Sequence, residues 1–123
     1  MKEKVKMENK AKGALGEAIA ITHLRNNGYK ILETNYRCKL GEIDIIAGKG
    51  ETYHFVEVKY RITNKYGTGR EAVHYHKQQT IHKVAQTYLI NKGLYAKVHM
   101  SFDVIEISGH VPNHTLEHLI ACF

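Results

Sequence analysis

The 123-residue chain has no tryptophan, a single proline (Pro112) and two cysteines, Cys38 and Cys122, far apart in the sequence. With no Cys-x-x-Cys pair, neither a disulfide framework nor a cysteine zinc site is indicated, and a reducing, cytoplasmic setting is expected. No apolar run approaches the roughly 20 residues that a membrane-spanning helix needs. Met1 to Lys12 is charged and lacks the apolar core of a signal peptide. Internal repeats, low-complexity tracts and glycine-rich phosphate loops are also missing, which sets aside the classes that those features announce.

Acidic residues are in short supply as well. Twelve Asp and Glu stand against 18 Lys and Arg, giving a formal net charge of +6 and a pI near 9.3. Such a surplus favours polyanionic partners, nucleic acid or an anionic membrane surface, although basicity also serves solubility alone. The length suits one domain over residues 1–123, large enough to bury roughly two-thirds of its unfolded surface. Lys2, Lys4, Lys6, Lys10 and Lys12 make a basic start, of which residues 1–8 read as a flexible tail.

The most informative stretch runs from Gly41 to Arg61. Residues 41–47 and 53–61 alternate with the period of two strands, and Gly48-Lys49-Gly50 reads as the turn of a hairpin. A register that sets Ala47 opposite His54 places Asp44 opposite Glu57 and Glu42 opposite Lys59 on one face, leaving the other face apolar. Directly opposed carboxylates repel. A divalent cation reverses that sign, since Mg²⁺ or Mn²⁺ takes hard oxygen ligands and is content with one or two carboxylates and water. A lysine alongside suits a reaction that develops phosphate charge. The alternative is a solvated sheet face of mixed charge.

Flanking segments complete an α/β pattern. A helix is expected from about Asn9 to Asn27, with Ala11, Ala14, Leu15, Ala18, Ile21 and Leu24 inward and Asn27-Gly28 ending it. Glu17 falls on the same stripe. It either snorkels to water at the edge or points toward the acidic residues of the hairpin. Tyr29 to Arg37 reads as the first strand, and Arg37 and Lys39 place positive charge ahead of the hairpin. A polar loop with Gly67, Gly69 and Arg70 follows Arg61 and is either a substrate-contacting segment or a plain connection. The second helix, about Tyr75 to Asn91, has the stripe Ile81, Val84, Ala85, Tyr88 and Leu89, with Lys77 continuing it at the amino end. A last strand is expected over Val98 to Ile107 and a short helix over His114 to Ile120. Nine histidines are present, and His114 and His118 would lie one helical turn apart, yet no third ligand stands at a recognisable spacing.

Taken in order, these residues resemble the YraN family of small bacterial proteins, which in turn resembles archaeal Holliday-junction resolvases of the PD-(D/E)xK nuclease superfamily. The resemblance is carried by Gly13, Gly16-Glu17 and Ala20; by Gly28-Tyr29 and Asn35-Tyr36-Arg37; and by Gly41-Glu42-Ile43-Asp44-Ile45-Ile46-Ala47. Phe55-Val56-Glu57-Val58-Lys59 with Arg61, Ala72-Val73, Lys77, Ala85, Tyr88-Leu89 and Phe102-Asp103-Val104 continue it. It implies a restriction-endonuclease-like αβββαβ core, a mixed central sheet flanked by helices. It also implies Asp44, Glu57 and the Val58 carbonyl as ligands of Mg²⁺ or Mn²⁺, Lys59 beside the attacking water and Glu17 as an accessory acid. Three positions depart from the pattern: Ile43 stands where the superfamily has proline, Ser101 where an arginine is expected, and Tyr75 where proline opens the second helix.

The resulting expectation is a metal-dependent nuclease acting on DNA, branched or structured DNA included, with Arg37, Lys39, Arg61, Arg70 and Lys77 meeting the nucleic acid. RNA stays open, no membrane partner is expected, and action on a symmetric junction would suit a homodimer. The other reading is a non-catalytic binding module that keeps the fold and the basic surface.

Overall fold

The computed structural model describes residues 2–62 and 73–123, with side chains from Lys12 onward. The elements run α1 (Lys2–Asn26), β1 (Lys30–Cys38), β2 (Gly41–Lys49), β3 (Thr52–Arg61), α2 (Tyr75–Asn91), β4 (His99–Ser108) and β5 (Thr115–Leu119). They form one five-stranded sheet in the order β1-β2-β3-β4-β5. All pairs are antiparallel except β3–β4, whose parallel ladder spans Thr52↔His99 to Arg61↔Ser108. This is the α/β architecture expected from the sequence, a mixed sheet between two helices. No helix among the described residues is long and apolar enough to cross a membrane.

The sheet separates two apolar clusters. On one side Ile81, Val84, Ala85, Tyr88 and Leu89 of α2 pack on Ile43, Ile46, Phe55, Phe102 and Val104. On the other, Ala20 and Leu24 of α1 pack with Tyr29 on Ile45, Ala47, Val56, Ile105 and Ile107. The stripe of α2 is the one its 3.6-residue period predicts. The hairpin register is also as expected, with Ala47 opposite His54.

Three expectations are corrected. First, the paired core of β2 and β3 carries no solvated polar face, although Glu42, Asp44 and Lys59 stay partly exposed. Both faces are covered by helices, so residues 54–57 of β3 are buried without alternation. The ladder between β2 and β3 also ends at Ile45↔Val56, so neither Asp44 and Glu57 nor Glu42 and Lys59 face each other as ladder pairs. Second, α1 is rolled relative to the expected stripe. Gly16, Ala20 and Leu24 face inward, whereas Ala14 and Ala18 are exposed and Leu15 is 43 % exposed. Gly16 fits the roll: a Cβ there would lie 3.0 Å from the Tyr60 Cβ, a tight contact that glycine avoids where the helix meets β3. Third, the C-terminal segment is a strand, β5, pairing Ser108↔Thr115 through Val104↔Leu119. A helix of that length gains little by itself, whereas a strand satisfies the open edge of β4. His114 and His118 are therefore not helical neighbours.

Candidate active site

β2 and β3 position the central carboxylates. Ile43 and Ile46 both lie under α2 while Ile45 and Ala47 lie under α1, so side-chain alternation breaks beside Asp44. Where the ladder stops, the Asp44 carboxylate takes over: its Oδ2 accepts the Val58 amide at 2.9 Å. Glu57, two residues past Phe55, points toward the α2 side and is 1 % exposed. Lys77, in the first turn of α2, sets its Nζ 3.3 Å from Glu57 Oε2. Glu57 Oε1 is buried without a hydrogen-bond partner.

Burial, then the neighbouring Asp44 charge, pushes the Glu57 carboxyl up to about 8, against the pull of Lys77 and Lys59. A side-chain hydrogen bond with Asp44 also favours the protonated Glu57 carboxyl. With both ionised there is no proton between them, and Glu57 Oε1 is left without a donor. Burial and then Lys77 hold the Lys59 amine below the usual lysine value. Burial alone would lower Lys77 too, but Glu57, a hydrogen bond shared with Lys59, and Asp44 outweigh it and raise Lys77. Of the two amines, Lys77 is thus the stronger holder of a proton.

Glu17 reaches the same place from α1. Asn35 Nδ2 donates to Glu17 Oε1 at 3.0 Å, from a backbone held at φ 51°. That left-handed conformation is one Asn tolerates better than most residues. Burial raises the Glu17 carboxyl, the Asn35 bond lowers it, and Asp44 and Glu42 raise it further. A cleft of about 530 Å³ joins Gly13, Ala14, Glu17, Asn35, Arg37, Asp44 and Val58.

Residues 16–107 match the model of the uncharacterised protein family UPF0102. The chain belongs to this family. A UPF0102 protein of Clostridium botulinum (strain Hall) is 50 % identical over 99 residues, 80 % of each chain. One of Alkaliphilus oremlandii is 45 % identical over 116 residues, 94 % of this chain and 99 % of its own.

In this UPF0102 chain, Asp44, Glu57, Val58, Lys59 and Lys77 come together, with Glu17 across the cleft. The cationic residues expected to meet nucleic acid are dispersed. Arg37 Nε pairs with Glu42 Oε2 at 3.0 Å in an exposed bridge, Lys39 is exposed in the β1–β2 turn, and Arg61 ends β3. Arg70, with Gly67 and Gly69, lies outside the described residues. Among the described residues, no three His, Cys, Asp or Glu side chains converge as a metal cage. Two carboxylates with an orphaned buried oxygen nevertheless fit a hard cation that keeps most of its water, as Mg²⁺ does.

Sequence reasoning missed a second polar cluster, on the α1 side of the sheet. Asp103 is fully buried and accepts from four groups: His54 Nδ1 and His118 Nε2 at 2.8 Å on Oδ2, and Ser101 Oγ at 2.6 Å and the Ala121 amide at 3.1 Å on Oδ1. Burial would raise this carboxyl, but His118, His54, Ser101 and Ala121 together hold it well below the usual range. Ser101 therefore has a structural partner in the position where an arginine was expected. The available signal was a polar Ser-x-Asp inside a largely apolar strand, but its partners come from β3, β5 and the turn after β5 and share no spacing with it.

Proposed function

We propose that this protein is a divalent-metal-dependent nuclease that hydrolyses phosphodiester bonds in DNA, with branched or otherwise structured DNA among its candidate substrates. The observation that carries the reading is Glu57: a carboxylate buried next to Asp44, with one oxygen unpartnered, while Asp44 itself lines a cleft. Stability alone disfavours such a pair, and a cation shared by both carboxylates removes the conflict. Asp44, Glu57 and the Val58 carbonyl would hold Mg²⁺ or Mn²⁺. When bound, the ion supplies Lewis acidity and a more acidic water.

The chain's own groups do the rest. The Val58 amide fixes the orientation of Asp44. Lys59, beside Glu57, stabilises negative charge as it develops on the phosphate, a contribution typically of a few kcal/mol for one such group. Glu17, oriented by Asn35, holds water or a proton on the cleft side. Arg37, Lys39 and Arg61 with Arg70 supply the electrostatic footprint for the backbone, and a symmetric junction would be met by two copies of the chain.

The test is a cleavage panel of linear, nicked, flapped, single-stranded and four-way DNA, with an RNA arm, each with and without Mn²⁺. Metal-dependent cutting of at least one DNA, abolished in Glu57→Gln, is the expected result. Salt-sensitive DNA binding with no cutting on any substrate would overturn it in favour of a binding module.

A further inference from the structure

The proposed chemistry does not require the contact between Lys77 and Glu57, yet that contact engages the same carboxylate that a metal would have to reach. Lys77 Nζ sits 3.3 Å from Glu57 Oε2, and Glu57 Oε1 beside it is buried with no partner. The two ends of this ion pair are unequal. The Glu57 side chain is 2 % exposed and fixed within a central strand, whereas the Lys77 side chain is 46 % exposed on the first turn of α2. One partner cannot leave, and the other can swing into water on a flexible four-carbon stem.

A cation bound between Asp44 and Glu57 must approach a Glu57 oxygen to roughly 2.0–2.1 Å if it is Mg²⁺. An ammonium on the same carboxylate would then face a divalent charge at close range with little water between them. We propose that Lys77 is the stand-in cation of the metal-free protein: its ammonium and the divalent ion exclude each other from Glu57, and metal entry releases Lys77 to the phosphate backbone. The proposal rests on the nuclease reading and deepens it, because it couples metal occupancy to the grip on nucleic acid through one positioning residue. Lys77 is suited to the exchange by its place. It is half exposed beside the carboxylates, while Arg37, which lines the cleft, is already engaged by Glu42.

Calorimetric titration of the full chain with MnCl₂ tests the competition without reference to activity. Lys77→Gln, which keeps a polar side chain but no charge, should bind Mn²⁺ on the order of tenfold more tightly than wild type, the factor expected if Glu57 is free of the ammonium in about one molecule in ten. Lys77→Arg retains the cation and should stay near wild type. Lys77→Met serves as a second uncharged variant should the glutamine bond to Glu57 in its own right. Ca²⁺, in place of Mn²⁺ to leave the DNA uncut, tests the release. It should steepen the salt dependence of duplex binding by about one unit in wild type and not in Lys77→Gln. If wild type binds Mn²⁺ and neither uncharged variant binds it more tightly, the competition is wrong and the nuclease reading stands. Competition seen without the change in salt slope overturns the release to phosphate. If no protein binds Mn²⁺ with or without DNA, this proposal and the metal site fall together.

Discussion

Asp44 Oδ2 accepts the Val58 amide at 2.9 Å just past the Ile45↔Val56 pair, so a side chain takes the place of a strand carbonyl where the β2–β3 ladder stops. Asp44 therefore has two separable duties, closing the sheet and facing a cation. Asp44→Ala should destabilise the protein by about 1–3 kcal/mol, the cost of an orphaned, partly buried donor. Asp44→Asn keeps an acceptor oxygen and should stay within about 1 kcal/mol of wild type. Both should lose Mn²⁺ binding. Urea denaturation paired with calorimetry checks this, and equal stability losses in the two variants would contradict the assigned hydrogen bond.

The Glu57 carboxyl sets a pH dependence opposite to that of most acids. Its folded value is raised from 4.5 to about 8, so its contribution to stability is complete below pH 4.5 and is lost as pH rises toward 8. In EDTA, wild-type melting temperature should fall across that window relative to Glu57→Gln, which carries no charge to bury. Glu57→Gln should be the more stable of the two at pH 9, while cutting no DNA and binding it at least as well. A flat difference between the two melting curves from pH 5 to 9 would remove the buried-carboxylate premise.

Asp103 has the ordinary sign. Its value is held below the usual 3.8, so its stabilising contribution is present above that pH and is lost as the solution is acidified below it. Asp103→Asn should cost roughly 3 kcal/mol or more, because an amide cannot accept from His54, His118, Ser101 and Ala121 together. Hydrogen exchange should then show faster opening of β5, which His118 and Ala121 tie to the sheet. Protection of residues 115–119 unchanged from wild type would count against that role.

Gly41 approaches α2 with no room to spare, since a Cβ there would lie 2.6 Å from Thr80 Cγ2 and 3.4 Å from Val84 Cγ2. Gly41→Ala should destabilise the fold by about 1–3 kcal/mol through overpacking. Gly41→Ala combined with Thr80→Ser, which removes the clashing methyl, should recover part of that loss. Thermal melts of the single and double variants measure the recovery, and strict additivity of the two changes would place the strain elsewhere.

The hairpin and α2 were legible in the sequence because each imposes a period: Ala47 meets His54, and Ile81 through Leu89 form one stripe. In α1, Ala14, Leu15 and Ala18 fit the helical period yet lie outside the buried face. Period alone cannot say how a helix is rolled, and here the inward face is the one on which Gly16 meets Tyr60. β5 was misread because residues 114–120 contain too few apolar positions to separate a period of 2 from one of 3.6. At the site, Asp44, Glu57 and Lys59 were visible as neighbours in one hairpin. The Lys77 contact was not, because it forms only when α2 docks, and the Asp103 cluster was not, because its partners come from three strands and the turn that follows the last of them.

The topology also dictates an order of events in time. β1, β2 and β3 form a meander joined by short turns, whereas β3 meets β4 only across the whole of α2. Short closures precede long ones because they cost less chain entropy. We expect Asp44 and Glu57 to come together while still hydrated, with Glu57 losing its water when α2 arrives. The penalty for its charge then falls late, on the native side of the folding barrier. At pH 9, Glu57→Gln should unfold more slowly than wild type while refolding at the same rate, as stopped-flow kinetics would show. A chain built in this order carries its acidic centre through most of folding as an ordinary wet hairpin.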